Sequence, residues 1–422
     1  MKKFMFATVA AAGIAAVSIG ASVTIDGVKW NYKVTNSSKG YVSLGGGTES
    51  TRAIASYAVV DAGSIPWTFQ SGNGTYTVTG IKPYAFNNCT NFTGTLVIPE
   101  ACKTIGGRAF KGCTGLSYVR GVTNATTLGE YAFYKCRSLS NEGMDLSRSS
   151  IGAGVFSGCH GLTGEVRLRE GMTTLPEGLL VGTAVTNVVI PTSITTMKGK
   201  VLMNSTEIKA LVIPGPISGS MNVVADQTFA GSKKLQAVMF GPNTRCVSQT
   251  LTNNNMLKDV SGCTLFVPKS GWNGVRVGGV GTKLVLYGPE EAVDIRIDTI
   301  GNTIKATVRS NGALATVTEC AALFKTNCNY NTSISSEVVV DNTTSINPDL
   351  FDSAVVYKTP TQSQVDAVYN LLNGNVANVI FDMTEANENI TMPGSTNDNI
   401  TVMMKGGAKY ITKKREFSII IR

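Results

Sequence analysis

The chain has 422 residues, 43% of them hydrophobic and 15% charged, with a formal charge of +9. That apolar content excludes a mainly disordered chain, and the low charge leaves Thr, Ser, Asn and Gly to make the surface, which suits turn-rich β structure. The basic residues are scattered rather than striped beside aromatics on a recognisable module, so nucleic acid is not an expected partner.

Residues 1–21 read as a secretory leader. Lys2 and Lys3 are followed by an apolar run from Phe4 to Ile19 and then by the small residues Gly20, Ala21 and Ser22. The run is short for a membrane span and lacks a positive stop-transfer flank. An exported chain, at the cell surface or extracellular, is expected, with no transmembrane span in its mature form.

Residues 22–78 carry no repeat. Val23 to Ile25 and Trp30 to Val34 alternate like strands around the turn pair Asp26-Gly27, which predicts a β hairpin and a small N-terminal β cap. Trp30 is expected in its core; a sugar-stacking platform is the alternative.

Residues 79–290 are periodic. Ile81 to Cys89, Ile105 to Cys113, Leu128 to Cys136 and Ile151 to Cys159 share an Ala/Val-Phe pair followed three residues later by Cys, and Phe86, Phe110, Phe133 and Phe156 are spaced 24, 23 and 23 residues apart. Weaker copies place Leu180, Leu202 and Phe229 at the aromatic position and Thr183, Ser205 and Ser232 at the Cys position; Val247 to Asn254 is a degenerate eighth. Several copies lead into a short strand ending in Pro, as in Leu96-Val97-Ile98-Pro99 and Leu211-Val212-Ile213-Pro214. One such unit cannot bury its own apolar face, so the repeats must stack into a solenoid with a continuous core. Eight strands spaced at about 4.8 Å give a sheet roughly 38 Å long.

This motif resembles the BspA-like (treponemal-type) leucine-rich repeat of bacterial surface proteins. The resemblance implies a right-handed solenoid, an extracellular location, and attachment to host proteins or other cells.

Residues 291–422 are read as a separate β-rich domain with period-2 runs at Ile295 to Ile297 and Thr303 to Val308, and with one short helix after Thr359-Pro360, closed by Gly374. The expected fold class is thus mainly β: a leucine-rich-repeat solenoid between an N-terminal cap and a C-terminal β-rich domain.

No catalytic constellation stands out, and no cofactor or metal is expected. The lone His160 has no partners at useful spacing. Cys89, Cys113, Cys136 and Cys159 sit one per repeat, far from the close spacing of zinc ligands, and read as small buried residues. Cys320 with Cys328, and Cys246 with Cys263, are the candidate disulfides, leaving Cys102 over.

Binding should use the outward strand residues. Their central column runs Val97, Arg120, Asp145, Arg167, Val189, Val212, Met239, Phe266, and a flanking column holds Thr95, Tyr118, Gly143, Glu165, Asn187, Ala210, Ala237 and Thr264. The first half of the central column is mostly charged and the second wholly apolar. The apolar half is expected to contact a partner or another part of this chain. Arg120, Arg167, Val189, Val212, Met239, Phe266 and Tyr118 are therefore the candidate partner-binding residues. The expected function is non-enzymatic adhesion to a protein ligand. Glycan capture and a structural cell-envelope role are the alternatives, and the scarcity of aromatics outside the motif favours adhesion.

Overall fold

A computed structural model describes residues 20–413 apart from 221–226, 248–255, 274–278, 289–294, 337–354, 359–377, 383–399 and a few shorter breaks. Residues 1–19 of the expected leader and the helix expected after Thr359 lie outside the described residues.

The N-terminal hairpin forms as the turn pair dictates. Ala21–Ile25 and Val28–Asn36 pair antiparallel, with Asp26 and Gly27 both at positive φ, the geometry a two-residue hairpin turn requires. Tyr41–Leu44 adds to this pair and then runs parallel to Gly74–Ile81, which begins the stack. Trp30 is buried, and its ring meets the edge of Phe86 at 6.3 Å. The hairpin thus closes the first repeat of the solenoid with an aromatic lid.

Each repeat then makes one rung with three parts. A longer strand packs into a parallel ladder, seen in Phe92–Val97 against Leu116–Arg120 and in Ala210–Ile213 against Ala237–Phe240. A two-residue strand makes a second ladder, as in Thr104–Ile105 against Thr127–Leu128. The Ala-Phe turn joins them. In the first of these strands burial alternates, so Leu96 and Ile98 face in while Val97 is 47% exposed, whereas Ala210–Ile213 and Ala237–Phe240 are buried throughout. The turn needs two left-handed residues per rung, one before Ala and one before Cys: Arg108 and Gly112, Tyr131 and Lys135, Gly154 and Gly158. The second of these falls on Gly or Asn in most rungs, the residues that adopt this conformation at least cost.

The phenylalanines form a file of near-parallel rings. Phe86, Phe110, Phe133 and Phe156 stack with centroids 5.0, 5.2 and 5.5 Å apart and planes within 7°. Beside them the Cys thiols do more than fill space. Cys113 donates to the Phe86 carbonyl at 3.0 Å, Cys136 to Phe110 at 3.1 Å and Cys159 to Phe133 at 3.1 Å. Ser205 and Ser232 repeat this bond to the carbonyls of Leu180 and Leu202, whereas Thr183 bonds Leu180 within its own rung. The slot therefore selects a small side chain that carries a hydrogen.

Where the long ladder is interrupted after Leu116–Arg120, a side chain repairs it. Buried Asn141 donates from Nδ2 to the Val119 carbonyl at 2.7 Å and accepts from the Val119 amide at 3.0 Å, in the manner of a backbone unit.

Beyond the solenoid, Ile295–Ile300, Thr303–Val308 and Asn331–Ser336 form a three-stranded sheet. An 18-residue helix, Asn311–Cys328, crosses between its two parallel strands. Val355–Lys358, Asn378–Asp382, Ile400–Lys405 and Ala408–Lys413 form a second sheet. The helix stands where the Cys320–Cys328 disulfide was expected, in a segment for which no element was expected. Cys320 and Cys328 are free and lie eight residues apart on one helix, about 12 Å along its axis, which no disulfide spans. Cys263, the other candidate partner, is also a free thiol.

Replacing Phe110 by Ala is expected to cost about 3–5 kcal/mol in denaturant unfolding, because a stacked, fully buried ring is lost. Cys136→Ser is expected to leave stability nearly unchanged, since serine fills this slot elsewhere. Cys136→Val is expected to cost about 1–3 kcal/mol by losing the bond and overfilling the slot.

Candidate partner-binding face

The ladder registers align the outward residues as a column. Val97 pairs with Arg120, Asp145 with Arg167, Arg167 with Val189, Val212 with Met239, and Met239 with Phe266. Burial divides the column in two. Val97, Arg120, Asp145 and Arg167 are exposed, and Val189 is half-buried. Val212, Met239 and Phe266 are 3%, 0% and 1% exposed. The flanking column divides at the same rung: Thr95, Tyr118 and Glu165 are half-buried, while Asn187, Ala210, Ala237 and Thr264 are buried.

The cover is the Asn311–Cys328 helix. Val317, Cys320, Ala321, Phe324 and Cys328 are its buried residues, a helical i, i+3, i+4, i+7, i+11 stripe, and Glu319, Lys325 and Thr326 are exposed. Phe324 meets Phe266 edge-on at 5.9 Å. The Cys320 thiol shares a hydrogen bond with the Thr264 side chain, and the Val212 backbone faces the Cys328 thiol. Asn329, in the left-handed conformation, ends the helix and donates to Glu165 Oε2 at 3.0 Å. The apolar half of the expected binding column therefore meets this chain's own helix. Val212, Met239 and Phe266 are core residues here, and an external ligand has no access to them while the helix is seated.

What remains open is a mixed face. Tyr118 lies under the Arg120 guanidinium at 5.7 Å. Arg167 pairs with Glu165 at 2.7 Å, and Glu165 also accepts from Asn187 at 2.9 Å. Asp145 accepts from the Ser147 amide at 2.9 Å, and the Ser147 contacts, with Arg167 nearby, hold its carboxyl below the usual carboxylate range. Of the candidate residues, the structure places Arg120, Tyr118 and Arg167 together on this face, with Val189 at its boundary.

Further aromatic groups sit on the turn edge, unflagged by the motif. Arg108 lies between the rings of Tyr84 and Tyr131, 5.5 Å from each, and donates to the Tyr84 hydroxyl at 2.6 Å. Tyr131 meets Tyr134 edge-on at 5.5 Å, with Lys135 over the latter. These residues occupy variable positions beside Ala-Phe, and only their column placement one rung apart brings them together.

His160 is exposed, with Nδ1 2.7 Å from the Gly182 carbonyl, and among the described residues no group of three potential ligands could hold a metal. Burial drives the thiols up: Cys89 to about 11, Cys159, Cys263, Cys320 and Cys328 to about 12, and Cys113 and Cys136 well above the ordinary value. They are poor nucleophiles at neutral pH. Among the described residues no helix is long and apolar enough to cross a membrane.

A parallel stack of rungs about 23 residues long, each with an inward Leu/Ile strand, is a leucine-rich-repeat solenoid. Residues 79–209 match the BspA type leucine rich repeat region in six copies. The ladder continues past this match to Tyr287. Solved structures similar to this chain include a leucine rich cell surface protein from Faecalibacterium prausnitzii, 14% identical, covering 64% of this chain and 96% of that one at a TM-score of 0.37. A leucine-rich repeat protein from Bacteroides ovatus is 15% identical over 75% of this chain and 99% of that one, with a TM-score of 0.25. The pneumococcal vaccine antigen PcpA is 12% identical over 76% and 100%, with a TM-score of 0.30. Comparison with curated proteins yields no match.

Two outcomes are expected. Met239→Lys should destabilise the chain by several kcal/mol rather than create a binding variant, since it buries an unpaired charge under the helix. In a pH series the melting temperature should be highest below about pH 8.5, the ordinary thiol value, and fall as pH rises towards 12. The folded chain holds its thiol protons there while the unfolded chain releases them. Ser at positions 113, 136 and 159 together should flatten that fall.

Proposed function

We propose that this chain is an exported, non-enzymatic interaction protein that binds a protein ligand through the exposed half of its long-strand sheet. The observation that carries this reading is the division of the outward column. Nature of the residues and burial change together: the apolar half is sealed by the chain's own helix, and the open half is charged and mixed. A sheet whose sole task was to stack would need no such division. The open face offers Tyr118 and Arg120 as a stacked pair and Arg167 beside Asp145, groups suited to anchoring and steering a polar protein surface. This face, together with the leader-like N-terminal sequence, supports adhesion to host matrix proteins or to other cells as its role.

The test is binding of the purified mature protein to immobilised matrix proteins, with Arg120→Glu and Arg167→Glu beside the wild type. Saturable binding that the double variant slows in association by about tenfold, and that weakens with salt, supports the reading. Saturable binding untouched by both reversals would place the site elsewhere.

A further inference from the structure

The N-terminal cap holds a concavity that the sheet does not use. The hairpin turn near Gly27 and the segment from Glu49 to Val59 enclose about 610 Å³. That volume fits one or two rings of a small ligand. Its walls combine Lys29, Asn31, Glu49 and Arg52 with Tyr57 and Val59.

The charges on these walls are not neutralised from within. Among the described residues neither Lys29 nor Arg52 forms an ion pair. Arg52 is half-buried, and its buried Nε has no acceptor. A partly desolvated guanidinium without an anion is costly, and a ligand carboxylate relieves that cost best through paired N–H donors. Two neighbours are already fixed for recognition. Glu49 accepts from Asn87 Nδ2 at 2.5 Å, and Asn31 donates to the Arg52 carbonyl at 2.8 Å, which also pins the Arg52 backbone. Tyr57 and Val59 are 82% and 79% exposed. A large aromatic ring left this bare beside a polar concavity is a ready platform for the apolar face of a sugar.

We infer that this concavity binds an acidic sugar, a ring bearing a carboxylate, with the carboxylate towards Arg52 and Lys29, the hydroxyls towards Glu49 and Asn31, and one ring face on Tyr57. An extended acidic peptide is the poorer fit. It would look for an open strand edge to continue, whereas these walls present side chains around a bowl. The inference is independent of the sheet face, which lies on the long-strand ladder.

The experiment is a titration of the full mature chain with glucuronic acid, followed by ligand-observed NMR, with glucose and an acetylated aspartyl dipeptide amide as controls. Glucuronic acid should bind at about millimolar strength and glucose at least about tenfold more weakly. Arg52→Gln should weaken glucuronic acid about tenfold or more. Since Arg52 is half-buried, Tyr57→Ala and Lys29→Gln are measured alongside with their melting temperatures. Each should lose several-fold in affinity with an unchanged melting temperature. Glucose binding as well as glucuronic acid, the dipeptide binding more tightly than the sugar acid, no binding of glucuronic acid, or affinity unchanged in all three variants would each overturn the inference.

Discussion

The contact on which the whole solenoid depends is the one between a rung and its neighbour. No rung closes on itself. Phe110 lies flat against Phe86 and Phe133, the thiols and carbonyls of neighbouring rungs are linked across the step, and the strands take their hydrogen bonds from adjacent rungs rather than from within their own. Dispersion between parallel rings at about 5 Å and burial of their faces supply the attraction, and the ladder bonds fix the register. The N-terminal hairpin belongs to the same logic. Trp30 gives Phe86 the neighbour it would otherwise lack.

The same requirement explains the far half. After Phe156 the aromatic file yields to Leu180 and Leu202, and the outer surface turns apolar at nearly the same rungs. There the stack needs cover from outside, and the Asn311–Cys328 helix supplies it with Val317, Ala321 and Phe324. The C-terminal part is thus bound into the solenoid's packing. The face that stays open is the one that needs no cover, because Arg120, Asp145 and Arg167 are already suited to water.

Much of this was legible in the sequence. The 23-residue period, the hairpin at Asp26-Gly27, the burial of Trp30 and the in-out alternation of Leu96-Val97-Ile98 all depend on local chemistry and short spacing. The chemical break in the outward column was legible too, including contact with another part of this chain as one of its meanings. The occupant was not. The helix stripe draws on Val317, Phe324 and two Cys, residues at home in strands, and Cys320 and Cys328 invited pairing with each other. The role of the Cys slot was half legible. That Cys, Ser and Thr interchange reads as a demand for small size, and their shared donor becomes meaningful only once the facing carbonyl of the preceding rung is placed. The Tyr84–Arg108–Tyr131 sandwich and the bowl around Arg52 were invisible, since each joins residues that no periodicity connects.

The change of cement along the stack has a mechanical meaning. Near the N-terminus the rungs are held from inside by a file of rings, whereas in the far half they are held from outside by a strap of helix. A pull on the Asn311–Cys328 helix would be felt where Phe324 and Asn329 grip the sheet. Once that grip yields, the bared rungs have a smaller internal stack to resist with, while those from Phe86 to Phe156 keep theirs. Under load the molecule would behave as two springs in series, the softer one nearer its C-terminus, and the open charged face rides on the stiffer.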